Sequence, residues 1–153
     1  MSGQTHNTEI RILDLAEILP IRHEVLRPGR PLETARYAND EGAGVIHLGA
    51  YRDRELLAVG SLYVAEMPGR PGVAAIQIRG VATLPKTRGA GLGTALMVAA
   101  LEHAREKGAR ILWCNARVSA AGFYSKLGFE IVSEEFEIPN IGPHYLMVQP
   151  LSG

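Results

Sequence analysis

Apolar and polar residues change their spacing along the chain, which predicts an alternation of strands and helices. Polar and apolar residues alternate over Glu9–Leu13, as in a half-buried strand. Helical spacing follows from Leu15 to Leu26, and Pro28 with Gly29 ends it. Pro20 lies inside this run, which predicts either a kink or the start of a second helical piece.

The middle of the chain predicts three long strands. Val45–Arg52 and Glu55–Glu66 are β-like runs separated by a short charged turn, which indicates a hairpin. Val73–Leu84 is the third run, and Pro85 ends it. Before the hairpin, residues 30–44 are polar and irregular, so this segment is a candidate lid or binding loop.

The last third predicts two more helices and three strands. A helix is indicated over Leu92–Lys107 by an apolar stripe, with Gly108 suited to its C-terminus. The other predicted segments are a strand at Arg110–Ala116, a short helix at Ser119–Gly128, and strands at Phe129–Ile138 and His144–Pro150. The order βα(α)βββαβαββ predicts an α/β fold with one mixed sheet, helices on its faces, and a single domain over residues 1–153.

Composition narrows the class of protein. The 153 residues carry 16 basic and 16 acidic side chains, and this zero net charge argues against a nucleic-acid-binding protein. A single cysteine, Cys114, excludes an internal disulfide and favours a reducing compartment. The start of the chain lacks a signal-peptide pattern, and the longest apolar run, Ala95–Leu101, is too short to span a bilayer. We therefore expect a cytoplasmic protein with no membrane partner, either a monomer or a homodimer.

A glycine-rich stretch, Arg88–Thr94 with the sequence RGAGLGT, lies between the third long strand and the helix that follows. Its G-x-G-x-G spacing does not fit a dinucleotide fingerprint, and no lysine follows the last glycine as a Walker A loop requires. A simple corner would need only one glycine. Glycines before a helix start instead let backbone N–H groups approach an anion, so the stretch predicts a pyrophosphate site.

The run Val81–Thr94 resembles the acetyl-CoA motif of the GNAT acetyltransferase superfamily, with Arg88, Gly91 and Gly93 at the positions of R-x-x-G-x-G/A. The resemblance implies the GNAT fold and acetyl-CoA as cosubstrate. It further implies that the Val81 N–H acts as an oxyanion donor. The implied cofactor-binding residues are Val81, Thr83, Arg88, Gly89, Ala90, Gly91, Leu92, Gly93, Thr94 and Asn115.

Four further segments resemble the narrower family of glyphosate N-acetyltransferases: Arg22–Glu33, IQIRGVATL, Trp113–Phe129 and Ile138–Met147. This resemblance spans about Ile21 to Met147, although the glycine loop follows the general superfamily pattern more closely. It implies a small anionic amine as substrate, clamped by Arg27, Arg79 and Arg117. It also implies that His144 is the general base and contacts the substrate anion, and that Tyr124 protonates the leaving sulfur.

Each of these residues also has an ordinary structural interpretation. Arg79 lies in an apolar strand, where a charge needs an anionic partner, but that partner could be a protein carboxylate. His144 could be a structural histidine, and Tyr124 could pack in the core. Cys114 raises the alternative of a covalent acetyl-cysteine route, which would need an activating partner. No metal site is predicted.

Two other functions remain open on the sequence. One is a GNAT acetyltransferase acting on another amine, such as a peptide N-terminus or a drug. The other is a non-catalytic acetyl-CoA sensor, which would bind the cofactor without turning over any amine. The principal prediction is direct acetyl transfer within a ternary complex, because His144 and Tyr124 together supply the base and the acid of such a reaction.

Overall fold

The computed structural model describes residues 7–87 and 89–151, which form eight strands and three α-helices. The strands are β1 (Thr8–Leu13), β2 (Ile46–Arg52), β3 (Glu55–Val64), β4 (Ala75–Thr83), β5 (Ile111–Arg117), β6 (Glu130–Ile131), β7 (Phe136–Ile138) and β8 (Gly142–Pro150). The helices are α1 (Leu15–Leu26), α2 (Leu92–Glu106) and α3 (Ala121–Lys126). The hydrogen-bonded strand order is β1-β2-β3-β4-β5-β8-β6, with β7 on β8, so the predicted mixed α/β sheet is confirmed.

The chain divides into two compact units. The first comprises the residues up to Tyr63 together with Gly80–Ala100, and the second comprises Val64–Arg79 and the residues from Leu101 onward. Strand β4 and helix α2 each contribute to both units. The single domain expected from the length stays a prediction.

The first unit is an antiparallel meander of β1, β2 and β3 that packs on α1. The β2–β3 turn has φ of 49° at Asp53 and 76° at Arg54, which fits a two-residue hairpin between Arg52 and Glu55. Ile18 and Ile21 of α1 pack with Val59 and Ala82 in a buried core.

Helix α1 begins after Asp14, whose backbone N–H donates to the Glu17 carboxylate at 3.0 Å. It runs without interruption to Leu26, although Pro20 lies inside it. The alternative of a second helical piece starting at Pro20 is therefore wrong. None of the helices in residues 7–87 and 89–151 is both long and apolar enough to cross a membrane.

The second unit is built on β5 and β8, which pair antiparallel from Ile111↔Pro150 to Arg117↔His144. Strand β4 runs parallel to β5, and their pairing covers Ala75–Gln77 against Ile111–Trp113. The Trp113 indole donates to the carbonyl of Ala65 at 2.9 Å and lies in a core with Met67 and Val148.

The single strand predicted over Phe129–Ile138 is wrong, because the segment forms two short strands, β6 and β7. Both pair with β8. Between them the Ser133 hydroxyl accepts a hydrogen bond from the Leu146 N–H at 2.9 Å. A side chain thus takes the place of a ladder carbonyl, and the charged residues that follow Ser133 leave the strand.

Candidate active site

The glycine loop adopts a backbone that only glycine enters without strain. Gly89 has a φ of +88° and Gly91 a φ of +82°. A Cβ added at either position would meet no protein atom within 4 Å. The space beside these two glycines is therefore free of protein atoms. Glycine is favoured at both positions by the positive φ and not by crowding from neighbouring residues. Arg88, the predicted charged group at this loop, lies outside the described residues.

Helix α2 starts within this stretch, at Leu92. The first helical hydrogen bond runs from the Ala95 N–H to the Gly91 carbonyl at 3.0 Å, so the N–H groups of Leu92, Gly93 and Thr94 precede it and have no acceptor within the helix. Such a helix start suits an anion. Ala90 differs, because its N–H already donates to the Thr87 carbonyl at 3.1 Å. A donor set of this kind fits an anion such as the pyrophosphate of acetyl-CoA.

The other predicted cofactor residues lie on strands. Val81 and Thr83 are half-buried on β4, directly after Gly80, and Asn115 is exposed on β5. Gly80 has a φ of +65°, which departs from strand geometry one residue before Val81. The backbone therefore departs from regular strand geometry at the residue that precedes Val81.

His144 lies on β8 and is 4% exposed. Its Nδ1 is 2.7 Å from the carbonyl oxygen of Gly142. A carbonyl can only accept, so Nδ1 carries the proton and Nε2 holds the lone pair of the neutral ring. The ring of Phe136 stacks on the imidazole, with 6.1 Å between centroids and 29° between planes.

Arg117 is the direct cross-strand partner of His144 in the β5–β8 register. Side chains of residues directly opposite each other lie on the same face of the sheet, so a guanidinium and an imidazole share that face. Arg79 lies on β4 in the same unit, two residues beyond the last β4–β5 pair, Gln77↔Trp113. Arg27 belongs to the other unit, where it follows α1 and donates to the Leu26 carbonyl at 2.9 Å.

Tyr124 on α3 is 9% exposed, and burial raises the pKa of its phenol. Phe123 and Phe129 contact its ring edge-to-face at centroid distances of 5.2 and 5.5 Å. Burial also raises the pKa of Cys114, to about 12. Tyr124 therefore stays protonated and able to donate, whereas Cys114 is not a thiolate near neutral pH and is a poor nucleophile.

Sequence reasoning missed a buried polar cluster in the first unit, which we call the Arg22 network. Arg22 is 0% exposed, and Asp40 is 4% exposed. The members of the network, in addition to these two residues, are Ala35, Ser61, Tyr63 and His47. One signal was available: Arg22 follows Ile18 by four residues, on the helical stripe that packs into the core.

Hydrogen bonds within the network keep both of its charges. Burial would raise the pKa of Asp40, but hydrogen bonds from Arg22, Tyr63 and the Tyr37 N–H lower it overall. Burial likewise opposes the charge of Arg22, and the hydrogen bond to Asp40 outweighs it, so the pKa of Arg22 is raised. Arg22 and Asp40 therefore form a buried ion pair in which both side chains stay charged.

Comparison with known proteins places the chain in a family. The sequence model of the acetyltransferase (GNAT) family matches residues 12–129. The uncharacterized N-acetyltransferase YitI of Bacillus subtilis (strain 168) is 34% identical over 143 residues, covering 94% of this chain and 96% of YitI. The chain belongs to the GNAT acetyltransferase family, and it is an N-acetyltransferase of the type that in general uses acetyl-CoA.

Solved structures agree on the fold. The ribosomal-protein-S18-alanine N-acetyltransferase from Escherichia coli superimposes with a TM-score of 0.75 at 18% identity, covering 96% of each chain. FeeM, an N-acyl amino acid synthase from uncultured soil microbes, gives a TM-score of 0.76 at 16% identity, covering 96% of this chain and 92% of FeeM. Identities this low establish the fold alone. Within the described residues no group of three or more His, Cys, Asp or Glu side chains is arranged to hold a metal ion.

Proposed function

We propose that this chain transfers the acetyl group of acetyl-CoA to the amine of a small anionic amino acid or aminophosphonate, by direct attack in a ternary complex. The observation that carries the proposal is the pairing of Arg117 with His144 across β5 and β8. A cation beside a base whose lone pair is on Nε2 suits a substrate that brings an anionic group and an amine together. Arg27 and Arg79 complete the proposed clamp.

The proposed reaction balances as follows. The amine nitrogen attacks the thioester carbonyl carbon, a C–N bond forms, and the C–S bond breaks. His144 Nε2 takes the amine proton, the Val81 N–H stabilises the oxyanion, and Tyr124 donates a proton to the departing sulfur. The proposed cofactor contacts are the N–H groups of Gly89, Gly91 and Leu92–Thr94, the side chain of Arg88, and Ala90, Val81, Thr83 and Asn115. Acetyl-CoA supplies the activated acyl group.

The first experiment measures thiol release from acetyl-CoA against a panel of amines. The panel pairs each small amino acid bearing an extra carboxylate or phosphonate, glyphosate included, with its uncharged amide or ester. It also contains polyamines, aminoglycosides and short peptides. We expect turnover only on the anionic members. Turnover confined to peptides or cations would support the alternative of another amine, and cofactor binding without any turnover would support a non-catalytic sensor.

The second experiment tests the base. His144→Ala should lower kcat about 10²–10³-fold, while the Kd of acetyl-CoA, measured by calorimetry, stays unchanged. His103→Ala is the matched control, because His103 lies on α2 with its side chain 28% exposed and within 3.7 Å of Glu106. Equal kcat values for the two variants would rule out His144 as the base. A cytoplasmic location and a monomeric or dimeric state remain parts of the proposal.

A further inference from the structure

We propose that Arg22 is a positioning residue for acetyl transfer. Its buried guanidinium, together with the ring of Tyr37, holds the backbone of β4 at Gly80 and thereby orients the N–H of Val81. The inference rests on the proposed function, in which the Val81 N–H stabilises the oxyanion. Nothing in the chemistry of the reaction itself requires Arg22, which is 0% exposed.

Arg22 is held from several elements of the first unit. Both terminal nitrogens of the guanidinium donate hydrogen bonds. Nη1 donates to Ala35 O at 2.8 Å and to Asp40 Oδ2 at 2.7 Å. Nη2 donates to Asp40 Oδ1 at 3.2 Å, Ser61 Oγ at 2.9 Å and Tyr63 Oη at 3.2 Å. These acceptors lie on β3 and on the loop between α1 and β2. A planar fork bonded at both ends cannot rotate or shift without breaking several bonds.

Tyr37 extends the rigid surface. Its ring lies 4.1 Å from the Arg22 guanidinium carbon, in a cation–π contact. Its backbone N–H donates to Asp40 Oδ2 at 2.6 Å, so the Tyr37 backbone is bound to the same carboxylate as Arg22. Arg22 and Tyr37 are therefore joined both by this shared carboxylate and by the cation–π contact.

Gly80 lies beside these two side chains. A Cβ added at Gly80 would be 3.0 Å from Arg22 Nε, 3.2 Å from Tyr37 Cε2 and 3.4 Å from Tyr37 Oη. Arg22 Nε has no hydrogen-bond partner within residues 7–87 and 89–151, so a methyl group at position 80 would meet it through steric contact alone. The guanidinium and the ring therefore restrict the space beside the Gly80 backbone.

The consequence falls on the next peptide unit. Glycine has the freest backbone of any residue, and Gly80 already stands at a φ of +65° inside a strand. The rotation about its Cα–C bond sets the plane of the peptide that carries the Val81 N–H. An oxyanion donor is effective only when it is held in the direction of the developing charge. Arg22 and Tyr37 supply that restraint at Gly80.

The test uses two alanine substitutions with a matched backbone cost. Gly80→Ala places a methyl group against Arg22 and Tyr37. Gly69→Ala is the control, because Gly69 has a φ of +84° and a Cβ there would meet no atom within 4 Å. We expect Gly80→Ala to lower kcat about 10²-fold, as a misplaced reacting group does, with the KM of acetyl-CoA unchanged. Gly69→Ala should keep the kcat of the parent protein.

A second substitution adds a rescue. Tyr37→Ala removes two of the three atoms nearest the added methyl group, so Gly80→Ala/Tyr37→Ala should recover part of the lost kcat. A network that serves stability alone predicts that Tyr37→Ala restores stability in the double variant, while kcat is the same in Gly80→Ala, in the double variant and in the parent protein. Circular dichroism and thermal unfolding establish that each variant is folded. If Gly80→Ala does not fold, Tyr37→Ala alone decides the matter: a lower kcat at constant KM supports the inference, and an unchanged kcat overturns it.

The outcomes separate the inference from the proposed function. A parent protein that releases thiol with an amine, together with a folded Gly80→Ala variant of equal kcat, overturns the role of Arg22 and leaves the acetyltransferase proposal in place. A parent protein that turns over no amine in the panel overturns the proposed function, and the positioning role falls with it.

Discussion

In the unit that contains α1, Arg22 and Asp40 are buried as a pair, whereas in the unit that contains β5 and β8, Tyr124 and Cys114 are buried singly. Hydrogen bonds keep Asp40 charged and lower its pKa. No ion pair involves Tyr124 or Cys114 within the described part of the chain, and burial raises the pKa of both. A buried acid with an opposite charge beside it stays ionised, whereas a buried acid without such a partner stays neutral and keeps its proton.

The two kinds of burial suit different roles. A buried ion pair resists displacement and can hold a backbone segment in place, which is the role proposed for Arg22 beside Gly80. A buried neutral phenol such as that of Tyr124 keeps a proton that it can donate when a substrate arrives. Changes in the Arg22 network should therefore lower stability and, through Gly80, also the rate, whereas changes at His144 and Tyr124 should lower the rate with little effect on stability.

The largest expected effect comes from breaking the buried pair. Asp40→Asn keeps the shape of the side chain but leaves the Arg22 charge uncompensated, so the free energy of unfolding should fall by about 3–5 kcal/mol. Glu55→Gln is the matched control, since Lys86 and Glu55 have the same 2.7 Å separation as Arg22 and Asp40 but are 60% and 59% exposed. Its cost should be about 0–1 kcal/mol. Urea denaturation measures both, and equal losses would contradict the contrast between the two pairs.

Two buried tyrosines allow the same atom to be removed from each region. Tyr63 is 3% exposed and donates to Asp40, so Tyr63→Phe should cost about 1–3 kcal/mol of unfolding free energy. Tyr124→Phe keeps the ring packing and removes the proposed acid, so kcat should fall about 10²-fold or more with little change in stability. Thermal unfolding and thiol release, measured on both variants, should give opposite patterns. A Tyr124→Phe variant with full kcat would exclude Tyr124 as the acid.

The sequence predicted the helices and strands better than it predicted the Arg22 network. Hydrophobic spacing is local, and it located α1, the β2–β3 hairpin, β4 and α2 to within two residues at each end. It failed over Phe129–Ile138, because the hydroxyl of Ser133 bonds to Leu146, thirteen residues away. Arg22 was missed for the same reason, since its acceptors lie 13 to 41 residues further along the chain.

The candidate site divides along similar lines. The glycines before α2 and the order of strands along the chain can be predicted from sequence, because each depends on residues that are close in sequence. The tautomer of His144 could not, since it depends on the 2.7 Å contact between Nδ1 and the Gly142 carbonyl. The pairing of Arg117 with His144 likewise depends on the β5–β8 register, which joins residues 27 positions apart. Resemblance named these residues, and the fold supplies the contacts.

Acid should weaken the first unit through Asp40. Its folded pKa is below its unfolded value of about 3.9, so its contribution to stability is complete above that value and is lost as pH falls toward the folded pKa. The unfolding free energy of the parent protein should therefore drop more steeply below about pH 5 than that of Asp40→Asn. Urea denaturation at a series of pH values measures both curves. A constant difference between them would mean that the pKa of Asp40 is not lowered in the folded state.

The smallest expected effect concerns the lone thiol of the second unit. Cys114 is 2% exposed with a pKa of about 12, so it is not a nucleophile near neutral pH, and direct transfer does not involve it. Cys114→Ala should leave kcat within about twofold of the parent value and cost about 1 kcal/mol of stability through lost packing. Mass spectrometry of the parent protein incubated with acetyl-CoA alone checks the same point, because an acetyl-cysteine route would leave a stable adduct at Cys114. A large loss of kcat together with that adduct would replace direct attack by a two-step transfer. Buried neutral groups would then include a nucleophile as well as a proton donor.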